Sequence, residues 1–268
     1  MQESSAMDPE IRAYYETGVE RERLAQGYSR IEFARTKELL GRHLPPPPAR
    51  VLDVGGGPGV YAAWLADSGY DARLVDASPL HVRQARERGA ERFSAAEGDA
   101  RNLEEADESY DAVLLLGPLY HLTERDDRLR ALREARRIVR SGGVVAAAAI
   151  SRFASALDGL YGGYLSDPIF WPIVQQDLAD GQHRSPPVEL PTFTTAYFHR
   201  PEELSAEVQE AGFVLEGVFG IEGPGWLLAD RWEDATAREN ILRVARLLES
   251  EPAVIGTSAH LLAVARAP

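Results

Sequence analysis

From residue 49 to residue 150, short apolar runs alternate with amphipathic ones. "ARVLDV" (49–54) reads as a buried strand, and "GVYAAWLADSG" (59–69) as a helix stopped by Gly69. "DARLVDA" (71–77) is a second strand. "SPLHVRQARERG" (78–89) is a second helix, with Ser78 as cap and Pro79 in its first turn. A weaker third strand follows in "RFSAAEGDA" (92–100), and a strong buried one in "YDAVLLLG" (110–117). "ERDDRLRALREARRIVRSGG" (124–143) is a long amphipathic helix with a glycine stop, and "VVAAAAI" (144–150) a fifth strand of small residues. Strand–helix alternation of this kind predicts a largely parallel sheet with helices on both faces.

The beat differs at both ends. Residues 8–43 read as helices, opened by Asp8 before Pro9 and closed by the proline run 45–48. After Ile150 the rhythm breaks into an aromatic, glycine- and proline-rich stretch to about residue 200, which predicts an ordered lid. Then come a helix (200–212), a strand (213–223), a helix (235–250) and a final strand (258–267). The expected division is an N-terminal helical cover (1–48), a ligand-binding core (49–150), a lid insertion (151–200) and the rest of the core sheet (201–268).

Composition narrows the chemistry. The 268 residues include no cysteine, which excludes disulfides, cysteine zinc sites and a thiol nucleophile. A formal net charge of -13 weighs against broad polyanion binding. No apolar run is long enough to span a bilayer, and "MQESSAMDPEIRAYYE" has no signal-peptide core, so the expected location is cytoplasmic. The richness in Ala, Arg and Glu is that of GC-rich, bacterial coding.

The turn after the first strand is "DVGGGPGV" (53–60). Glycines there let the chain turn tightly and let a ligand approach without Cβ obstruction. A dinucleotide fold needs G-x-G-x-x-G, but Val60 stands where the third glycine belongs; no G-K-[ST] phosphate loop occurs either. Asp53-x-Gly55-x-Gly57-x-Gly59 resembles motif I of the class I S-adenosylmethionine (SAM) methyltransferases. That resemblance covers roughly residues 10–150 and implies a Rossmann-like α/β fold, with a seven-stranded sheet whose last strand is antiparallel. It implies SAM as cofactor and S-adenosylhomocysteine as product.

Carried over residue by residue, Asp53, Gly55, Gly56 and Gly57 would hold the amino-acid end of SAM. Asp76 and Ala77 would meet the ribose, Asp99 and Ala100 the adenine, and Leu116 and Gly117 the sulfonium. Alone, Asp53 could be a turn acid and Asp76 a helix cap. Arg30 aligns with an arginine that contacts the cofactor carboxylate in the family acting on the carboxymethoxy group of wobble uridine in tRNA. Tyr14 and Tyr15 could fold over the site or pack within the helical cover.

SAM methyl transfer is an in-line displacement, so positioning can supply most of the rate. A hydroxyl or amine acceptor gains from a base. His121, at the mouth of the site, is the candidate catalytic residue, with packing as its alternative role. Tyr120, Tyr161, Tyr164, Phe170, Trp171, Phe193, Tyr197, His183, Arg184 and His199 are candidates for holding the acceptor, or for the lid's own core. No metal-ligand spacing stands out. The reading is an O- or N-methyltransferase, a carboxylate acceptor included, acting on a small molecule such as a secondary metabolite, as monomer or homodimer without a membrane. The runner-up, tRNA modification, predicts a basic groove near Arg152 and Arg184. A third, a SAM-binding protein without catalysis, predicts a lid closed over no acceptor pocket.

Overall fold

The computed structural model describes residues 7–27, 29–184 and 193–268. Its sheet is built from β1 (Arg50–Val54), β2 (Asp71–Asp76), β3 (Ser94–Glu97), β4 (Tyr110–Leu115), β5 (Val139–Ser151), β6 (Gln182–His183), β7 (Ala196–His199), β8 (Val214–Gly220) and β9 (His260–Arg266). The main order is β3-β2-β1-β4-β5-β9-β8. β1 to β5 pair in parallel, and β9 runs antiparallel to both β5 and β8. These seven strands have the expected pattern. The short hairpin β6–β7 is additional: β7 pairs in parallel with the end of β5 at Ile150 and Ser151.

Side chains alternate across the sheet, as the pleat requires. Leu52, Val54, Val113, Leu115, Val145 and Ala147 enter one core with Leu132 and Ala135; Val51, Ala112, Leu114, Val144 and Ala146 enter the other with Leu39, Leu40 and Leu65. The helices on the two faces are α2 (Ser29–His43), α3 (Val60–Asp67), α4 (Pro79–Gly89), α6 (Arg125–Ile138) and α9 (Pro201–Glu210). α1 (Pro9–Glu16) precedes them, α5 (Pro118–His121) is a single turn after β4, and α10 (Ala235–Leu248) lies between β8 and β9. Asp8 caps α1 by accepting from the Glu10 amide at 2.8 Å.

One boundary moved. The helix expected to run to Gly143 ends at Ile138, and β5 begins at once with Val139 opposite Tyr110. Gly142 (φ 75°) then lets the strand bulge before it rejoins β4 at Val144.

Of the stretch expected to form an ordered lid (151–200), residues 185–192 lie outside the described residues, and two helices account for much of the rest. These are α7 (Ala154–Gly162) and α8 (Phe170–Asp180), and Phe170, Val174 and Asp177 form the buried stripe of α8. Gly181 (φ 80°) ends α8 and turns the chain into β6. A buried network anchors the base of this region: Arg128 donates to Glu207 at 2.7 Å, Glu207 faces His199 Nε2 at 3.3 Å, and the Tyr197 ring stacks on Arg128.

Candidate active site

β1 delivers the chain into the glycine turn, where Gly55, Gly57 and Gly59 all have positive φ. The turn is fixed from both sides. Gly55 N–H donates to Val75 O at 2.7 Å, and Gly57 N–H donates to Asp76 Oδ2 at 2.8 Å. The other Asp76 oxygen accepts from Ser78 N–H at 2.8 Å, so this carboxylate ties the glycine turn to the start of α4. At Gly56 a Cβ would come within 2.5 Å of the Asp53 carboxylate, whereas at Gly57 a Cβ would meet no protein atom within 4 Å. The glycine at 56 is thus needed for packing, and the missing side chain at 57 leaves room for a ligand.

A cavity of about 480 Å³ opens at these strand ends. Of the residues expected to hold the cofactor, Tyr15, Gly55, Gly56, Gly57, Asp76, Ala77, Asp99, Ala100, Leu116 and Gly117 line it. Two do not. Asp53 is fully buried behind Gly56, where burial and the nearby Asp76 carboxylate push its pKa up to about 7. Arg30 faces away, paired with Glu233 and the Gly27 carbonyl. Arg23 and Arg101 bring guanidinium groups into the cavity wall instead, Arg23 bidentate on Glu32 at 2.6 and 3.1 Å and bonded to Glu20 at 2.8 Å. Asp99 is gripped by Arg101 at 2.7 Å, which also reaches Asp127.

The donor set suits SAM better than a nucleotide phosphate. Acids line the wall, the glycine turn leaves open space, and the arginines present are already paired with carboxylates. Asp76 and Asp99 would accept hydroxyl and amino hydrogens, and Leu116 and Gly117 would stand beside the sulfonium.

A second cavity of about 350 Å³ lies under the lid. Tyr14, Ile150, Phe170, Phe193, Phe198 and Trp226 give it an apolar lining, with Ser155, Asp158 and His183 as polar groups. It shares Tyr15, Glu20, Arg23, Tyr120 and His260 with the first cavity, so the two meet along one seam. Of the residues expected at the acceptor, Tyr14, Tyr120, His183, Phe170 and Phe193 line it. His183 is tied to Asp177 at 2.9 Å and to Phe193 O at 3.1 Å. The others lie elsewhere. Tyr161 and Trp171 are about half exposed on the outer lid face (55% and 45%), Tyr164 packs on Phe170, and Arg184 points to Gln182. Tyr197 and His199 belong to the network around Arg128 and Glu207. Arg152, expected near a basic groove, is buried against Glu203 at 2.7 Å and the Phe198 carbonyl.

His121 lines the first cavity, but its Nε2 is hydrogen-bonded to the Tyr15 hydroxyl and its Nδ1 is buried with no side-chain partner among the described residues. Burial pulls its pKa down to about 4, so the ring is neutral at pH 7. Sequence reasoning missed Glu20, Arg23 and His260 at the seam, and Glu32 and Glu222 that pack against them. Glu32, Glu222 and His260 bring three possible ligand atoms within 4.8 Å of one another, although no metal spacing stood out along the chain. Arg23 already occupies Glu32 there.

A glycine turn after the first strand, acids at the ends of the next two, and the strand order with one antiparallel member give the chain the Rossmann-like α/β fold shared by class I SAM-dependent methyltransferases. More particularly, residues 51–143 match the family described as "Methyltransferase domain". A demethylmenaquinone methyltransferase of Beutenbergia cavernae is 34% identical over 143 residues, 53% of this chain and 57% of that protein. A ubiquinone biosynthesis O-methyltransferase of Xylella fastidiosa is 26% identical over 205 residues, 74% of each chain. The chain spans from about a third to somewhat over half of the first curated relatives it matches. A solved Pyrococcus horikoshii protein superposes with a TM-score of 0.66 at 17% identity, covering 96% of this chain and 99% of that one, and so shares the fold. No described helix is long and apolar enough to cross a membrane.

Proposed function

We propose that this chain transfers a methyl group from SAM to an oxygen on a small, largely apolar molecule. The observation that carries this reading is the second cavity, which meets the strand-end cavity along a shared seam. A SAM-binding protein without catalysis would have no use for it. Relatives named as O-methyltransferases favour oxygen over nitrogen.

When bound, SAM supplies an electrophilic methyl on a sulfonium. The protein's part is to orient and to exclude water. Asp76 and Asp99 hold the ribose and adenine ends, and the glycine turn admits the amino-acid end. Phe170, Phe193, Phe198 and Trp226 pack the acceptor body. Tyr15 and Tyr120 close the seam where the methyl must cross.

Calorimetric titration of the ligand-free chain tests the reading. Micromolar binding of SAM and none of NAD is the expected result, followed by S-adenosylhomocysteine formation with a panel of aromatic alcohols. NAD binding without SAM binding would overturn it.

A further inference from the structure

Resting on that reading, we propose that His260 and Glu222 form a base dyad at the seam, and that the acceptor is therefore a neutral hydroxyl compound, a phenol or enol, rather than a carboxylate. Glu222 is fully buried just after β8. Its Oε1 lies 2.6 Å from His260 Nδ1, and its Oε2 accepts from Ser258 Oγ at 2.7 Å and from the His260 amide at 3.0 Å. The His260 carbonyl in turn accepts from Ile221 N–H at 3.0 Å, so backbone and side chain fix the ring together. A carboxylate only accepts, so Nδ1 carries the hydrogen and the neutral ring presents its lone pair on Nε2. Nε2 makes no hydrogen bond to any described residue and is not among the sealed-off polar atoms, and the side chain lines both cavities. This is the arrangement of a base oriented by a third group.

The other histidines along the cavities lack it. His121 spends Nε2 on Tyr15 and makes no hydrogen bond to a carboxylate among the described residues. His81 turns Nδ1 to Asp76 and buries Nε2 without a partner. His183 has both nitrogens engaged.

The groups facing His260 come from several elements: Glu222 after β8, Glu32 of α2 at 4.0 Å, Glu20 and Arg23 from the turn between α1 and α2, Tyr15 of α1 and Tyr120 of α5. Burial works against the imidazolium, but Glu32 and Glu222 outweigh it, Arg23 opposing them, and the pKa ends above the ordinary value. A base of that strength is matched to a hydroxyl near neutral pH. In the transfer, the acceptor O–H proton passes to Nε2 as the oxygen lone pair forms the bond to the methyl carbon. The carbon–sulfur bond of SAM breaks with its pair going to sulfur, and Glu222 holds the imidazolium until it returns the proton to water. A carboxylate acceptor needs no base and would meet Glu20, Glu32 and Asp158 as like charges.

The test uses the full chain labelled with ¹⁵N-histidine. Long-range ¹⁵N–¹H spectra, assigned by the signal lost in His260→Asn, should show the Nδ1–H tautomer of neutral His260. Glu222→Gln should lower its pKa by about one unit or more. With phenol, catechol and benzoate as probe acceptors, His260→Asn should cut phenol turnover by about 10²- to 10⁴-fold and abolish the limb that rises with pH. SAM affinity should stay within about threefold, which a merely structural role would not predict. An Nε2–H tautomer, undiminished phenol turnover in His260→Asn, preferred methylation of benzoate, or SAM-loaded wild type that methylates no phenol would each overturn the proposal. So would turnover lost to a chelator and restored by Mg²⁺, which would assign the cluster to a metal. Failure of the wild type to bind SAM would instead sink the methyltransferase reading, while the tautomer would still report on the dyad.

Discussion

Asp53 carries an ionisable group into a place where water cannot follow. Burial first, and the Asp76 charge second, raise its pKa to about 7 from the ordinary aspartate value of 3.8. The folded chain therefore keeps a proton that the unfolded chain gives up between those values. Stability should fall as pH rises from about 4 to 7 on this account, and the cost persists above it. Asp53→Asn should remove a penalty of at most roughly 4 kcal/mol at pH 8 and change little at pH 3.5. Urea melts of the ligand-free chain at both pH values check this; an equal effect at the two would show that Asp53 does not titrate in that window. Single residues also show how differently the site could be read from sequence. The acids at strand ends were legible because a strand fixes where its last side chain stands. Arg23 and Arg30 were not separable: both precede motif I, and only the turn after Gly18 (φ 77°) decides that Arg23 faces the cavity while Arg30 faces Glu233.

At the scale of elements, alternation in the sequence was enough for β1 to β5, β8 and β9, because each is a short apolar run bounded by turn residues. The lid was harder. α8 contains Trp171 and Pro172 in its first turn and buries only a narrow stripe, so its periodicity is faint. The hairpin β6–β7 has a two-residue strand, too short to show a period. What secures that region is long-range: Glu207 of α9 joins Arg128 of α6 to His199 of β7. Burial alone would raise the Glu207 pKa, but bonds and charges from His199 and Arg128 outweigh it and bring it down to about 2. The stability it supplies is complete above about pH 4.5 and is lost as pH falls toward 2. Glu207→Ala leaves Arg128 buried and unpaired, and should cost about 3–5 kcal/mol. Chemical denaturation at pH 7 measures that loss, and the difference from wild type should shrink on acidification; a loss under about 1 kcal/mol would show the network to be incidental.

For the whole molecule, the acidic charge and the buried Arg152 agree in disfavouring a polyanionic partner. Filter binding at physiological salt should show no association with tRNA in the micromolar range, and tight, salt-sensitive binding would reopen that possibility. The seam could not be read from the chain because its members are far apart: Glu32 and His260 are separated by the entire sheet in sequence, with no shared local pattern. The wall of the strand-end cavity has a further consequence. Met7, Asp8, Pro9, Ile11, Tyr15, Glu20, Arg23 and Leu24 wall it on one side, with α1 held to the core through Tyr15 and His121 and to the lid side through Glu10 and Thr195. The same segment borders both chambers. On the proposed methyltransferase reading, donor would enter first and its by-product leave last, with the N-terminal helix as turnstile, an order that product-inhibition kinetics would check.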